Sequence, residues 1–292
     1  MEREGIERTS IRTTEHVLKA LAKKTDLNNP DETKLAIAQY IKRNQEPASN
    51  GFKRKLADCY NYYCKHFNLT WTKPSYHTEE HSIQPPSDEK CKMLISGARM
   101  PLSLKIEISY QTGLRPIEVQ GHKGIKVKDI HPDQKTITSL NTKRCNARPA
   151  IPITTELVTR LQTYIIEHKL KPEDRLFPNE TTTYSEQFRR YKHRLANRLK
   201  DQTIISIRLY DLRHHYITKQ LRRTQNAEIV RQLVGHKTLN TTQKYLHLLA
   251  GNTGEWIVEG TTDKKRAEEL LLNDFTYQLT TPDGTMLFRK PK

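Results

Sequence analysis

The sequence predicts a mainly α-helical protein with a small antiparallel β-sheet, an α+β domain preceded by a smaller helical one. Three observations carry that prediction. Apolar residues recur at helical spacing along most of the chain, whereas residues 123–153 switch to strand-like alternation. A third stretch, residues 70–86, has three prolines and no periodicity, and it separates an N-terminal group of helical patterns from the rest.

Val17, Leu18, Leu21 and Ala22 mark one face of a first helix across residues 14–24. Leu35, Ile37, Ala38 and Ile41 mark a second, preceded by Pro30 and with Asp31 as its candidate cap. Phe52, Leu56, Tyr60, Tyr63 and Phe67 mark a third. Residues 1–69 therefore read as a helical domain and residues 70–86 as a linker. A helix resumes near Ser87, where Asp88 and Glu89 suit the positive end of its dipole. Ile125 and Val127 among lysines, a turn at Asp133-Gln134, Thr136-Ile-Thr, and Ile151 and Ile153 around Pro152 predict a hairpin or three-stranded sheet. Helical patterns return at residues 154–168, 184–200, 211–223, 226–234 and 239–249, completing a domain over residues 87–250. The tail, residues 251–292, predicts a helix at 263–272 and a β-hairpin at 275–288 turning on Pro282-Asp-Gly. It reads as a packing or subunit-contact element.

The chain of 292 residues carries a net charge of +17, which attracts polyanions, nucleic acid first among them. The surplus is local. Residues 85–250 hold 30 Lys and Arg against 15 Asp and Glu; residues 1–84 hold 14 against 11, and the tail 6 against 7. No stretch approaches the roughly 18 apolar residues of a spanning helix. Residues 1–10 alternate charges without an apolar signal region, so no membrane partner and a cytoplasmic location are expected. Cys59, Cys64, Cys91 and Cys145 form no CxxC pair and read as reduced structural thiols. His77-Thr-Glu-Glu-His81 imitates a zinc-peptidase string. Lying between Pro74 and Pro85-Pro86, it lacks the helix that would turn both imidazoles to one side, so no metal site is expected.

Phosphoryl transfer without a metal needs fixed cations on the nonbridging oxygens, a nucleophile, and an acid for the leaving alkoxide. Arg suits the first task because its planar fork meets phosphate bidentately and stays charged. Arg115 sits in Gln-Thr-Gly-Leu-Arg-Pro-Ile-Glu (111–118), with Gly113 free to turn and Pro116 suited to a first helical turn. Arg213 sits in Arg-Leu-Tyr-Asp-Leu-Arg-His-His-Tyr (208–216), where Asp211 is a candidate cap. His236 follows Gly235, a natural helix stop, and Tyr245 is placed on a short helix after Asn240-Thr-Thr. Lys143 lies in the sheet segment Asn-Thr-Lys-Arg-Cys-Asn-Ala-Arg (141–148).

These blocks resemble the tyrosine recombinases, the phage-integrase and Xer-like group. The resemblance is strong over residues 87–250 and extends to residues 9–67 as a helical core-binding domain. Thr-Gly-Leu-Arg-x-x-Glu resembles the family's first arginine motif, Leu-Arg-His its second, and Val-Gly-His236 its Leu-Gly-His; the intervals from Arg213 to His236 and from His236 to Tyr245 also match. The resemblance implies a two-domain clamp on double-stranded DNA, working as a homotetramer on two sites without cofactor, metal or ATP. It implies that Arg115 and Arg213 clamp the scissile phosphate and that Lys143 protonates the leaving 5′-oxygen. His236 would hydrogen-bond a nonbridging oxygen, and Tyr245 would attack to give a 3′-phosphotyrosine.

One position departs from the pattern. The family commonly has His three residues before the second Arg; here it is Tyr210, as in integrases of archaeal plasmids and viruses. Tyr210 can donate a hydrogen bond to phosphate but shuttles protons poorly near neutral pH, which leaves the general base open, with His214 and His215 as other candidates. Arg144 and Arg148 remain alternatives to Lys143, since a register error of one residue exchanges neighbours. Tyr216 and Tyr277 compete with Tyr245 but lack its interval. For DNA contact the sequence offers Arg189, Arg190, Lys192, Arg194 and Arg198 on one helix, and Lys53, Arg54 and Lys55 in the first domain; a solvated face is the plainer reading of both runs. Two other functions share these motifs: a type IB topoisomerase, which relaxes plasmids of any sequence, and a DNA-binding regulator without catalysis.

Overall fold

The computed structural model describes residues 8–42, 44–78, 83–139, 149–246, 248 and 256–291. The chain forms two compact units, Met1–Ser82 and Ile83–Lys292.

The first unit packs three helices, α1 (Arg8–Leu21), α2 (Pro30–Ala38) and α3 (Asn50–Phe67), around Val17, Leu21, Ile37, Leu56, Cys59, Tyr60 and Cys64. The cap of α2 is Asn29, whose side chain accepts the Glu32 N–H; Pro30 is the first helical residue, and Asp31 lies inside the helix rather than before it. Leu35, expected on the buried face, is 57% exposed because Thr33 and Ile37 take that side. Trp71 meets Tyr60 edge-on at 4.7 Å, and Tyr76 packs on the same cluster, so part of the expected linker covers this core. On α3, Arg54 and Lys55 are exposed and Lys53 is partly so.

The second unit is built around α5 (Leu102–Thr112), which is buried along nearly its whole length and packs on α4 (Asp88–Ser96), α7 (Thr155–Glu167), α8 (Thr181–Leu199) and α9 (Leu209–Thr224). A helix enclosed on all sides needs few polar groups, and those it has are paired. Ser109 Oγ donates to the Lys105 carbonyl, and the Lys105 ammonium reaches Gln187 Oε1 at 3.1 Å, burial holding its pKa down at about 8. α4 starts where expected, with Asp88 and Glu89 in its first turn, and Ser87 caps it by accepting the Lys90 N–H.

Three short antiparallel strands, β1 (Ile130–His131), β2 (Thr136–Ile137) and β3 (Ile151–Pro152), form the expected sheet in the order β1-β2-β3, with Ile137 facing both Ile130 and Ile151. Residues 125–127 do not join it. The Ile125 N–H donates to the Glu118 carbonyl and the Val127 N–H to the Asp174 carbonyl, so their alternation is spent on loop pairing. Cys59, Cys64 and Cys91 are buried free thiols. Cys145 lies outside the described residues, as do Glu79, Glu80 and His81 of the zinc-like string. Among the described residues no cluster suits a metal ion, and no helix is long and apolar enough to cross a membrane.

The tail adds β4 (Trp256–Thr261), α12 (Lys264–Leu272), β5 (Thr276–Thr280) and β6 (Met286–Pro291), an antiparallel sheet of order β4-β6-β5 with a small core of Ala267, Leu270, Phe275 and Phe288. Asp274 reaches Lys219 of α9 at 3.1 Å.

Candidate active site

The first basic residue is placed by the end of the central helix. α5 stops at Gly113, whose φ of +62° is open to glycine and costly for other L-residues. Two residues later Arg115 caps α6 (Pro116–Val119). The fully buried Glu118 closes that turn from within: its carboxylate accepts the Arg115 backbone N–H at 2.8 Å and Arg115 Nη1 at 2.9 Å. Arg115 is thus oriented by a neutralising partner. A Cβ added at Gly113 would run into the Tyr216 ring. Gly113→Ala is therefore expected to cost roughly 2–4 kcal/mol, from left-handed strain plus overpacking, and to displace Arg115. Urea unfolding of the variant measures the stability loss.

The second arginine ties the motifs together. Arg213, on α9, has no solvent exposure. Its Nη1 donates to the Gly113 carbonyl at 2.6 Å and its Nη2 to the Val234 carbonyl at 2.6 Å. Gly113 precedes Arg115 by two positions and Val234 precedes His236 by two, so a single guanidinium fixes both loops. Asp211, the expected cap of α9, instead sits one turn in and accepts the N–H of Arg208, the actual cap.

His236 follows α10 (Ala227–Val234), which ends on Gly235 at φ +66°. It is buried, and its Nδ1 lies 2.9 Å from Thr242 Oγ1 of α11 (Leu239–Gln243). Tyr245 stands just past α11 in a turn, its N–H donating to the Thr242 carbonyl, rather than on the helix. The phenol is 3% exposed and its hydroxyl lies 2.6 Å from His214 Nδ1. Burial pushes its pKa above the ordinary tyrosine value; Tyr210 and Asp211 add to that rise, and Arg213 opposes it. Tyr210 is 40% exposed and meets the His214 ring edge-on at 5.0 Å. His215 points elsewhere, with Nδ1 2.9 Å from the Pro86 carbonyl and Nε2 3.3 Å from Asp88.

Of the six expected catalytic residues, Arg115, Tyr210, Arg213, His236 and Tyr245 belong to this linked set, while Lys143, with Arg144 and Arg148, lies outside the described residues. The sequence marked Glu118 only as the closing residue of the first motif, with no role, and did not single out Thr242 or the carbonyls of Gly113 and Val234. A glycine two positions before Arg115, and another one position before His236, was the available signal.

On α8, Arg189, Arg190, Arg194 and Arg198 are exposed. With Arg99 and His193 they line a recess of about 1100 Å³. Its floor is tight: a Cβ on Gly97 would come within 2.7 Å of the Tyr191 hydroxyl. Lys192 departs from its neighbours. Its ammonium donates to the carbonyls of Ile205 at 2.5 Å and Ile207 at 2.8 Å, holding the chain that leads into α9.

A helical domain that assembles two arginines, a histidine and a phenol from four separated motifs defines the tyrosine-recombinase class. Residues 89–251 match the phage integrase family, and the chain belongs to that family. It is 34% identical over 158 residues to the tyrosine recombinase XerA of Saccharolobus solfataricus, covering 54% of this chain and 50% of that protein. It is 24% identical over 247 residues to a tyrosine recombinase of Pseudothermotoga lettingae, covering 77% of this chain and 81% of that one. The first of these matches thus spans half the length of its relative. Among solved structures, the Tn1549 transposon integrase in complex with circular intermediate DNA superposes with a TM-score of 0.65 at 16% identity, covering 93% of this chain and 96% of that one. A lambda integrase dimer bound to a COC′ core site gives 0.60 at 14%, covering 82% and 89%. These likenesses establish the fold: mainly α with small antiparallel sheets.

Proposed function

We propose that the chain is a site-specific DNA recombinase of integrase type, acting on double-stranded DNA for a mobile element. Tyr245 attacks the scissile phosphate, forms a 3′-phosphotyrosine and frees a 5′-hydroxyl; a second 5′-hydroxyl then reverses the step on a new partner. The observation that carries this reading is the Arg213 guanidinium held between the Gly113 and Val234 carbonyls, one residue from the imidazole that meets Tyr245. A fixed cation beside the phenol supports this reading, because charge that develops on the phosphate needs preorganised positive groups. Arg115 and Arg213 clamp the nonbridging oxygens, His236 adds a hydrogen bond, and Lys143 protonates the leaving 5′-oxygen. Each step exchanges one phosphodiester for another, so the reaction needs no ATP, and the arginines are proposed to serve in place of a metal. A homotetramer on two duplexes in the cytoplasm completes the proposal.

Nicked suicide duplexes with a randomised core test it. A denaturant-resistant protein–DNA complex is expected in EDTA, enriched for one sequence. Tight, salt-sensitive binding without any covalent product would leave a DNA-binding regulator, and relaxation of every supercoiled plasmid offered would favour a topoisomerase.

The arginine-lined recess on α8 supports phosphate binding by Arg189, Arg190, Arg194 and Arg198, and Lys53, Arg54 and Lys55 are proposed to reach further phosphates from the first unit. Lys192, committed to two carbonyls, is a weaker candidate. Replacing Arg190 or Arg194 by Ala is expected to weaken binding evenly across sequences and to lower the salt slope by about one for each phosphate no longer neutralised. Binding titrations across salt concentrations read this, and an unchanged slope would remove the recess from the DNA path.

A further inference from the structure

The departure at Tyr210 leaves the reaction without its usual imidazole, and the structure supplies another. His214 lies one turn along α9 from Tyr210, and its Nδ1 is 2.6 Å from the Tyr245 hydroxyl, within reach for direct proton transfer. We infer that His214 is the general base of the reaction, taking the phenolic proton of Tyr245 as its oxygen attacks phosphorus. The inference rests on the recombinase reading proposed for this site.

The bond from the Tyr245 oxygen to phosphorus forms as the bond from phosphorus to the 5′-oxygen breaks. The phenolic proton passes to His214 Nδ1, while the departing 5′-oxygen takes its proton from a separate acid, for which Lys143 is the proposed donor. In rejoining, the incoming 5′-hydroxyl returns its proton to that acid. The phenolate, expelled from phosphorus, recovers its own from the imidazolium.

Three features favour His214 over its neighbours. A phenol holds its proton to about pH 10, so Tyr210 cannot accept one from Tyr245 near neutrality. His215 has its two nitrogens engaged by Pro86 and Asp88, away from Tyr245. His214, in contrast, is packed between Tyr210 and Tyr245, with ring centroids 5.0 and 5.6 Å away. The charged and titratable groups facing it are Tyr210, Asp211 and Arg213 of α9, the cap Arg208, and Tyr245 beyond α11. Burial, aided by Arg208 and Arg213 against Asp211, lowers its pKa, so the ring is neutral and able to accept at pH 7. The phenol's pKa is raised, so transfer is uphill at rest and becomes favourable as the bond to phosphorus forms. A base is useful to a nucleophile in that situation.

The test compares wild type, His214→Gln, Tyr210→Phe and Lys143→Ala in single-turnover formation of the covalent complex, from pH 5 to 9. The probe is the best nicked duplex recovered from the randomised pool, and the same duplex with sulfur in place of the scissile 5′-oxygen. The wild-type rate should fall as pH drops through the His214 pKa. His214→Gln keeps a hydrogen-bonding side chain but does not titrate. It should lose roughly 10²- to 10⁴-fold in rate and lose the acid limb, with DNA binding retained. Sulfur, a leaving group that needs no acid, should rescue Lys143→Ala and not His214→Gln. Tyr210→Phe should keep the limb. A His214→Gln enzyme within a few-fold of wild type with its acid limb intact overturns the inference, as does rescue of that variant by sulfur. Either result with a wild-type complex present leaves the recombinase reading standing; no wild-type complex on any duplex overturns both. Should the substitutions unfold the chain, ¹⁵N-histidine spectra of the intact wild type decide. An unprotonated Nδ1 on His214 that shifts in Tyr245→Phe is expected, and a protonated Nδ1 at pH 7 rejects the role.

Discussion

Tyr245→Phe should bind DNA as the wild type does and form no covalent complex. The ring is buried in the main core of its unit, and phenylalanine fills the same space. The stability cost should therefore be small, about 0.5–1.5 kcal/mol for the missing hydrogen bond to His214. The chemical cost is total, because a phosphotyrosine cannot form without the hydroxyl. Neither competitor can replace it. Tyr216 is buried with its ring over Gly113, and Tyr277 is half exposed on β5 of the tail. Gel-shift affinity and denaturing-gel trapping on one suicide duplex separate the two effects, and a persistent complex in the variant would reject Tyr245 as nucleophile.

Arg213 should be the most damaging of the basic positions, because the fold and the proposed chemistry share it. Arg213→Ala strands the carbonyls of Gly113 and Val234 and leaves a void where a fully buried side chain stood. A loss of about 2–6 kcal/mol follows from two buried carbonyls left without donors, at about 1–3 kcal/mol each. Arg213→Lys keeps the charge, but a compact ammonium cannot span two carbonyls as a planar fork does. It should fold with reduced stability and still lose roughly 10²- to 10³-fold or more in cleavage, the usual effect of one misplaced transition-state donor. Urea midpoints and single-turnover rates measured on both variants check this. Wild-type cleavage in Arg213→Lys would contradict the clamp.

The motif residues were legible because their order and spacing resemble those of a family, and the glycines because the backbone needs them. Gly113 and Gly235 both adopt the left-handed conformation that lets a helix end and a functional side chain emerge. Other features were set by tertiary partners that no local pattern announces. Ile125 and Val127 alternate like a strand, yet their N–H groups go to Glu118 and Asp174. Lys192 sits in a run of arginines, yet only the fold shows the carbonyls of Ile205 and Ile207 within its reach. The helix expected through Tyr245 stops at Gln243, and Thr242 spends its hydroxyl on His236 instead. His214 follows the same logic. Its place in Leu-Arg-His was visible, but its hydrogen bond to a residue 31 positions later was not.

The proposal that these side chains serve one phosphate is tested most directly by the chemistry of the trapped complex. Protease and nuclease digestion followed by mass spectrometry should return a peptide containing Tyr245 esterified to a 3′-phosphate, with the complementary strand end a free 5′-hydroxyl. A link on another residue, or one to a 5′-phosphate, would contradict the account.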